Sequence, residues 1–196
     1  MGEKEIVMRK KEINQLDVHG FSSRKEQLQY HLWKFIGRYI FKMMIGPVYG
    51  LRRWYLRLFG ATIGSGTNVS NHAIIVMPSW ITIGKNVSVD DYVYFNAKAI
   101  IGDDVSLSSY VKIISGGHDV RDKNFTYIHK PVKIGKNAFI GANSVLMGGV
   151  VISDFVAVGA NSFVLHDVPE NSIAYGNPCE VKSKRYSADT LNTIVR

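Results

Sequence analysis

The stretch Ile134-Gly-Lys-Asn-Ala-Phe-Ile140-Gly-Ala-Asn-Ser-Val-Leu146-Met-Gly-Gly-Val-Val-Ile152-Ser-Asp-Phe-Val-Ala-Val158-Gly-Ala-Asn-Ser-Phe-Val164 puts an aliphatic residue at every sixth position. A period of six fits neither the 3.6-residue repeat of an amphipathic helix nor the alternation of one long strand. The same spacing runs upstream through Ile83, Val89, Phe95, Ile101, Leu107 and Ile113, preceded by Ile63, Val69, Ile75 and Ile81 in a frame shifted by two. At 46% apolar residues, six consecutive hits have a chance probability of roughly 0.01, and two such runs are far rarer.

Glycine follows six anchors directly, at Gly64, Gly84, Gly102, Gly135, Gly141 and Gly159, where it is expected to allow a sharp bend. Four residues past the anchors stand small or β-branched side chains, such as Val87, Val105, Ala138 and Val156. In an extended chain they share the anchor's face, because side chains alternate with period two. Asn86, Asn137 and Asn143 suit corners, since asparagine accepts left-handed geometry. A six-residue rung cannot bury its apolar side alone and must stack on the next, which makes the chain an all-β parallel β-helix.

The 196 residues suffice for one solenoid domain with appendages, and no compositional break announces a second globular unit. The boundaries expected are 1–60 for an N-terminal helical segment, 61–178 for the solenoid and 179–196 for a short C-terminal tail. Cys179 is the single cysteine, so no intramolecular disulfide can form and a reducing cytoplasm is the expected compartment. Glu3, Lys4 and Glu5 interrupt what a secretory leader would need as an apolar run.

Charge is uneven. Of the net +8, +7 lies in residues 1–60, where twelve Lys or Arg face five Asp or Glu. Gln27 to Ile45 reads as a helix. Its wide apolar face would hold Leu32, Trp33, Phe35, Ile36, Tyr39, Ile40, Met43 and Met44, beside a basic stripe of Lys34, Arg38 and Lys42. The stripe argues against a spanning helix, which needs about 20 predominantly apolar residues. Two roles stay open: a helix whose apolar face caps the first coil, which is favoured, or one lying on an anionic membrane surface. High pI alone is no case for nucleic-acid binding, and none is expected.

Between Ile113 and Ile134 the period fails, so a loop leaves at about Ser115 and returns near Pro131. Loops on a rigid scaffold commonly carry chemistry. His118 follows Ser-Gly-Gly, whose flexibility would present the imidazole at an edge, and histidine titrates in the range a general base needs. His129 in the same loop is its rival.

The segment from Ser115-Gly-Gly-His118 to Pro131, then Ile134 to Gly141, Asp167-Val-Pro-Glu-Asn and Gly176-Asn-Pro178, resembles the hexapeptide-repeat acyltransferases. The likeness is strongest to the branch that O-acetylates sugars and surface polysaccharides and spans about residues 50–182. It implies a left-handed β-helix, acetyl-CoA as acyl donor, a homotrimer with sites between subunits, and His118 as general base. It also implies that Asn96, in Tyr94-Phe95-Asn96, enters the acceptor site, although Asn96 equally reads as a corner residue. Phe139 stands where relatives often carry tryptophan near the acceptor. Coenzyme contacts would come from Gly141, Ala142, Gly159 and Ala160 along the coil edges, with the Ala142 N–H as oxyanion donor. Asn177 and Pro178 match the turn beside the adenine. Relatives usually place a cation where Glu180 stands, so Lys182, Lys184 or Arg185 would have to meet the phosphates.

The expected activity is therefore O-acetylation of a sugar or glycan precursor by direct transfer, in a cytoplasmic enzyme, with peripheral association at the inner membrane face left open. N-acetylation of an amino sugar or antibiotic is the alternative within enzymes, and a non-catalytic scaffold the alternative outside them. A zinc site from His72, His118 and His129 is disfavoured, because the paired-histidine spacing of metal-dependent relatives is absent, and no metal is expected.

Overall fold

Very short strands, two or three residues each, wind into a three-sided solenoid in the computed structural model, which describes residue 21 and residues 23–194. The leader reading at Glu3 to Glu5 lies outside the described residues. One side stacks Thr62–Ile63, Ile81–Ile83, Ala99–Ile101, Val132–Ile134 and Val151–Ile152. The second stacks Asn68–Val69, Ser88–Val89, Ser106–Leu107, Phe139–Ile140 and Ala157–Val158; the third stacks Ile74–Ile75, Tyr94–Phe95, Lys112–Ile114, Val145–Met147 and Phe163–Val164. All these pairings are parallel. Ile83 meets Ile101 and Ile134 meets Ile152, so one coil is 18 residues, or three hexapeptides. The anchors, and the residues four beyond them, fill one continuous core.

The two-residue frame shift has a local cause. A 3₁₀ turn, Pro78–Trp80, is inserted before the strand Ile81–Ile83, which stays in register through Ile83. Ile81 is buried opposite Ala99, two residues ahead of the anchor position.

The glycines after the anchors serve a different purpose from the one expected. None of the six has a positive φ. A Cβ on Gly64 would lie 2.5 Å from the Gly84 backbone, and one on Gly141 the same distance from the Ala160 nitrogen. Close coil stacking excludes the side chain. The left-handed corners fall to Asn86, Asn137 and Asn143 as expected, but also to Tyr92, Tyr110 and Phe155.

The N-terminal helices close the open end. Helix α1 (Arg24–Leu32), a π turn (Trp33–Gly37) and helix α2 (Arg38–Met43) run on without a break, followed by helix α3 (Tyr49–Leu58). The N–H that follows each anchor bonds forward to the next coil, as Gly64 to Ile83, Ser70 to Val89 and Val76 to Phe95. The carbonyls of Ile63, Val69 and Ile75 therefore have no earlier coil to serve. Arg57 donates to Ile63 O, Arg52 to Val69 O at 2.8 Å, and Trp33 Nε1 to Ile75 O at 2.8 Å, one donor for each side of the solenoid. An exposed strand edge is a template for aggregation, and these donors remove it. Arg52 also reaches Met44 O and Gly46 O; burial lowers its pKa, while Tyr49 and Asp91 act in the opposite direction.

The expected apolar face of the first helix is corrected. Tyr30, Trp33, Gly37 and Phe41 are buried, while Leu32, Phe35, Ile36, Tyr39, Ile40 and Met43 are exposed. The C-terminal segment is likewise more than a tail: Glu180–Lys184 pairs antiparallel with Ser172–Tyr175, and helix α4 (Ala188–Ile194) follows.

Candidate active site

The expected loop is a β-hairpin. Gly116–His118 pairs antiparallel with Tyr127–His129, with His118 opposite Tyr127. The hairpin leaves the third side where the chain would otherwise turn into the first, and Lys130 N returns to Ser115 O at 2.9 Å. Asp122 holds its tip by accepting from Asn124 N and from the Thr126 hydroxyl, and these bonds lower its pKa. Gly116 is a packing requirement: a Cβ there would lie 2.3 Å from the Tyr127 hydroxyl and 2.9 Å from Asn96 Oδ1.

His118 is exposed but fixed. Its Nδ1 lies 2.7 Å from the carbonyl oxygen of Phe125, and its ring stacks on the Phe125 ring at 4.5 Å and meets Tyr127 edge-on at 5.1 Å. A carbonyl can only accept, so Nδ1 carries a proton, and in the neutral ring the lone pair is on Nε2. This is the tautomer a general base needs. Burial and neighbouring Tyr94 raise the Tyr127 pKa, which keeps the phenol neutral beside the imidazole. His118 lines a cleft of about 270 Å³ with Ser115, Gly117, Ile128, Lys130 and Met147. Ile128, Lys130 and Met147 carry no motif; only the fold brings them to His118. His129 does not line the cleft and packs edge-on to Trp80 at 5.3 Å, at the foot of the hairpin.

Asn96 has a defined task at that foot. Its Oδ1 accepts from Gly116 N at 3.0 Å and its Nδ2 donates to the Tyr94 hydroxyl at 3.5 Å, so it ties the hairpin to the preceding coil.

The candidate coenzyme residues lie elsewhere. Gly141 and Ala142 turn the chain from the second side to the third, Gly159 and Ala160 do so one coil later, and Asn177 and Pro178 end the strand Ser172–Tyr175 on the same edge, across a cis peptide bond. Phe139 is exposed on the second side, beside Ala157. At two corners that follow the first side the equivalent amides are occupied, Lys85 N by Asp103 Oδ1 and Lys136 N by Asp154 Oδ1. Among the described residues no acceptor meets the Ala142 or Ala160 N–H, and both residues are exposed. This edge thus offers two free N–H donors, one from each of two successive coils, to an extended ligand bearing amide carbonyls. Lys182 is held by Glu180 at 2.8 Å, which raises the lysine's pKa and lowers the glutamate's; Lys184 is exposed. Arg185 is withdrawn as a phosphate ligand, since it donates to Asn137 O and Val156 O.

The hairpin leaves the third side at the end of its strands, whereas Gly141, Ala142, Gly159 and Ala160 stand at the corner where those strands begin.

Over 180 residues the chain is 30% identical to WcaF of Escherichia coli K12, a proposed colanic acid biosynthesis acetyltransferase, covering 88% of this chain and 99% of that one. The chain belongs to the hexapeptide-repeat acetyltransferases. Residues 131–166 of this acetyltransferase match the profile described as the hexapeptide repeat of succinyl-transferase. A maltose O-acetyltransferase from Clostridium difficile 630 superposes with a TM-score of 0.74 at 29% identity, over 84% of this chain and 90% of that one. A galactoside acetyltransferase in complex with coenzyme A does so with a TM-score of 0.70 at 26% identity, over 86% of each. The family's solenoid is left-handed, as the resemblance implied.

Proposed function

We propose that this acetyltransferase moves the acetyl group of acetyl-CoA to a hydroxyl of a sugar in a surface-polysaccharide precursor. The observation that carries the reading is the His118 Nδ1 to Phe125 carbonyl contact, which leaves Nε2 free to take a proton. His118 Nε2 removes the hydroxyl proton as the oxygen attacks the thioester carbonyl; the carbon–sulfur bond then breaks and coenzyme A leaves as the thiol. The Ala142 N–H is the oxyanion donor, and the edge from Gly141 through Ala160 to Asn177 and Pro178 receives the pantetheine arm. Tyr94, Asn96 and Phe139 are assigned to the acceptor side, Asn96 acting through the hairpin it anchors. Lys184 is the cation available to the coenzyme phosphates, with Lys182 once it leaves Glu180.

We place the complete site between subunits, with the hairpin of one reaching the donor edge of its neighbour, because the hairpin and Ala142 belong to opposite edges of the third side. A homotrimer closes such head-to-tail contacts around a threefold axis. The single cysteine and the donor suit the cytoplasm.

The test is acetyl-CoA consumption against a panel of free, nucleotide-linked and lipid-linked sugars, with mass spectrometry of the product. Acetyl-CoA should also raise the melting temperature, since a ligand selective for the native state stabilises it. Acetylation of an amine in place of a hydroxyl, or a monodisperse monomer by light scattering, would overturn the reading.

A further inference from the structure

The chain's most cationic segment is also its most apolar surface. From Gln27 to Gly60 there are six Lys or Arg and no Asp or Glu. The structure divides these cations by job. Arg52, Arg53 and Arg57 are turned inward and bond to carbonyls of the first coil, at Val69, Thr67 and Ile63. Lys34, Arg38 and Lys42 remain exposed along one flank of α1 and α2, with Lys34 over the Tyr30 ring at 5.5 Å and Arg38 over Tyr39 at 4.8 Å.

The apolar residues divide in the same way. The helices pack on each other through Trp33, Gly37, Tyr55 and Phe59, and Tyr55 donates to Gly37 O. What they leave outside is large and apolar: Phe35 is 67% exposed, Met43 77%, Ile45 79%, Trp54 58% and Leu58 62%. Capping the solenoid therefore uses one face only, and among the described residues nothing packs on the outer face.

We propose that this outer face docks on the surface of an anionic lipid bilayer. An interfacial helix needs an apolar face to enter the acyl boundary and cations at its flank to meet headgroups, and long cationic stems can reach outward while the apolar face sinks. Exposed Trp54 and Tyr39 suit the interface, where amphipathic rings collect. No helix among the described residues is long and apolar enough to cross a membrane, so the segment lies on the surface. A second copy of this chain is the poorer occupant. Two such faces would set cations against cations, and residues 61–196 carry twelve Lys or Arg against eleven Asp or Glu, too near neutral to attract them. Docking would also fix the catalytic hairpin relative to the membrane, because Trp80 bonds Glu26 of α1 and packs on His129. The proposal stands apart from the acceptor's identity, and its test needs no acetyl transfer.

The full-length protein is sedimented with vesicles of phosphatidylcholine alone or with about a third phosphatidylglycerol, some carrying brominated acyl chains. Binding should require the anionic lipid and weaken with salt. Replacing Lys34, Arg38 and Lys42 together by Gln should weaken it about a hundredfold, at about a factor of five per cation. Brominated chains should quench Trp54 and leave buried Trp33 and Trp80 unaffected, so Trp54→Phe removes the quenching. Phe35→Ser with Met43→Ser should abolish binding without lowering the melting temperature, because both residues are exposed. Absence of vesicle binding by the wild-type protein overturns the proposal, as does equal binding to neutral vesicles. It also falls if the Phe35→Ser and Met43→Ser protein has a smaller mass by light scattering, which would assign the face to a second copy.

Discussion

The hairpin carrying His118 and the helical cap carrying Arg52 both depart from the six-residue period, yet they attach to the solenoid in opposite ways. The hairpin satisfies most of its backbone internally and touches the coils through a few bonds at its foot, chiefly Gly116 N to Asn96 and Gly149 N to the Lys130 carbonyl. The cap reaches into the solenoid with side chains and covers carbonyls that no coil can serve. One departure is free to do chemistry because the fold does not depend on it. The other cannot be removed without opening an end of the core.

The largest test of that contrast is His118→Ala. Turnover should fall by about two to four orders of magnitude, the usual scale of a positioned base, while the melting temperature stays within a degree or two of wild type. A His129→Gln control should keep turnover within about tenfold. The reverse outcome, with His129→Gln inactive and His118→Ala active, would move the base to the hairpin's other strand.

Arg52→Met should show the mirror image. It leaves the Val69, Met44 and Gly46 carbonyls without their donor, at a cost of about 3 kcal/mol and a fall in melting temperature of roughly 10 °C. Turnover per folded molecule should not change. Loss of turnover at unchanged stability would mean that cap and site are not separate.

Gly135→Ala tests whether coil stacking, not backbone freedom, requires glycine. Its Cβ would lie 2.6 Å from Asp154 N and 2.7 Å from the Ser153 carbonyl carbon, so about 2 kcal/mol should be lost. Denaturant midpoints would check this, and a neutral result would contradict the stacking account.

Asn96→Ala should give the smallest effect and the most informative one. Without its tie at Gly116 the hairpin is less well placed, and turnover should fall about tenfold with little change in stability. Asn96→Asp retains the accepting oxygen and should restore most of the activity.

The six-residue period determined the solenoid and the anchors of the core, because burying a rung's apolar side against the next is a local requirement repeated along the chain, whereas the 18-residue coil emerged from the strand register. The break after Ile113 located the hairpin, and Ser115-Gly-Gly-His118 singled out the candidate base. The expected apolar face of the first helix was misassigned, since Phe35 and Trp33 are both large aromatics and only packing on the first coil decides which one turns inward. The sequence alone could not show that Arg52, Arg57 and Trp33 each serve one side of the solenoid, because an orphaned carbonyl exists only once the coil has an end. Nor could it show that His118 and Ala142 lie on opposite edges. That separation comes from the chain turning a corner about every six residues, so that segments adjacent in sequence fall on different sides while residues 18 apart are stacked.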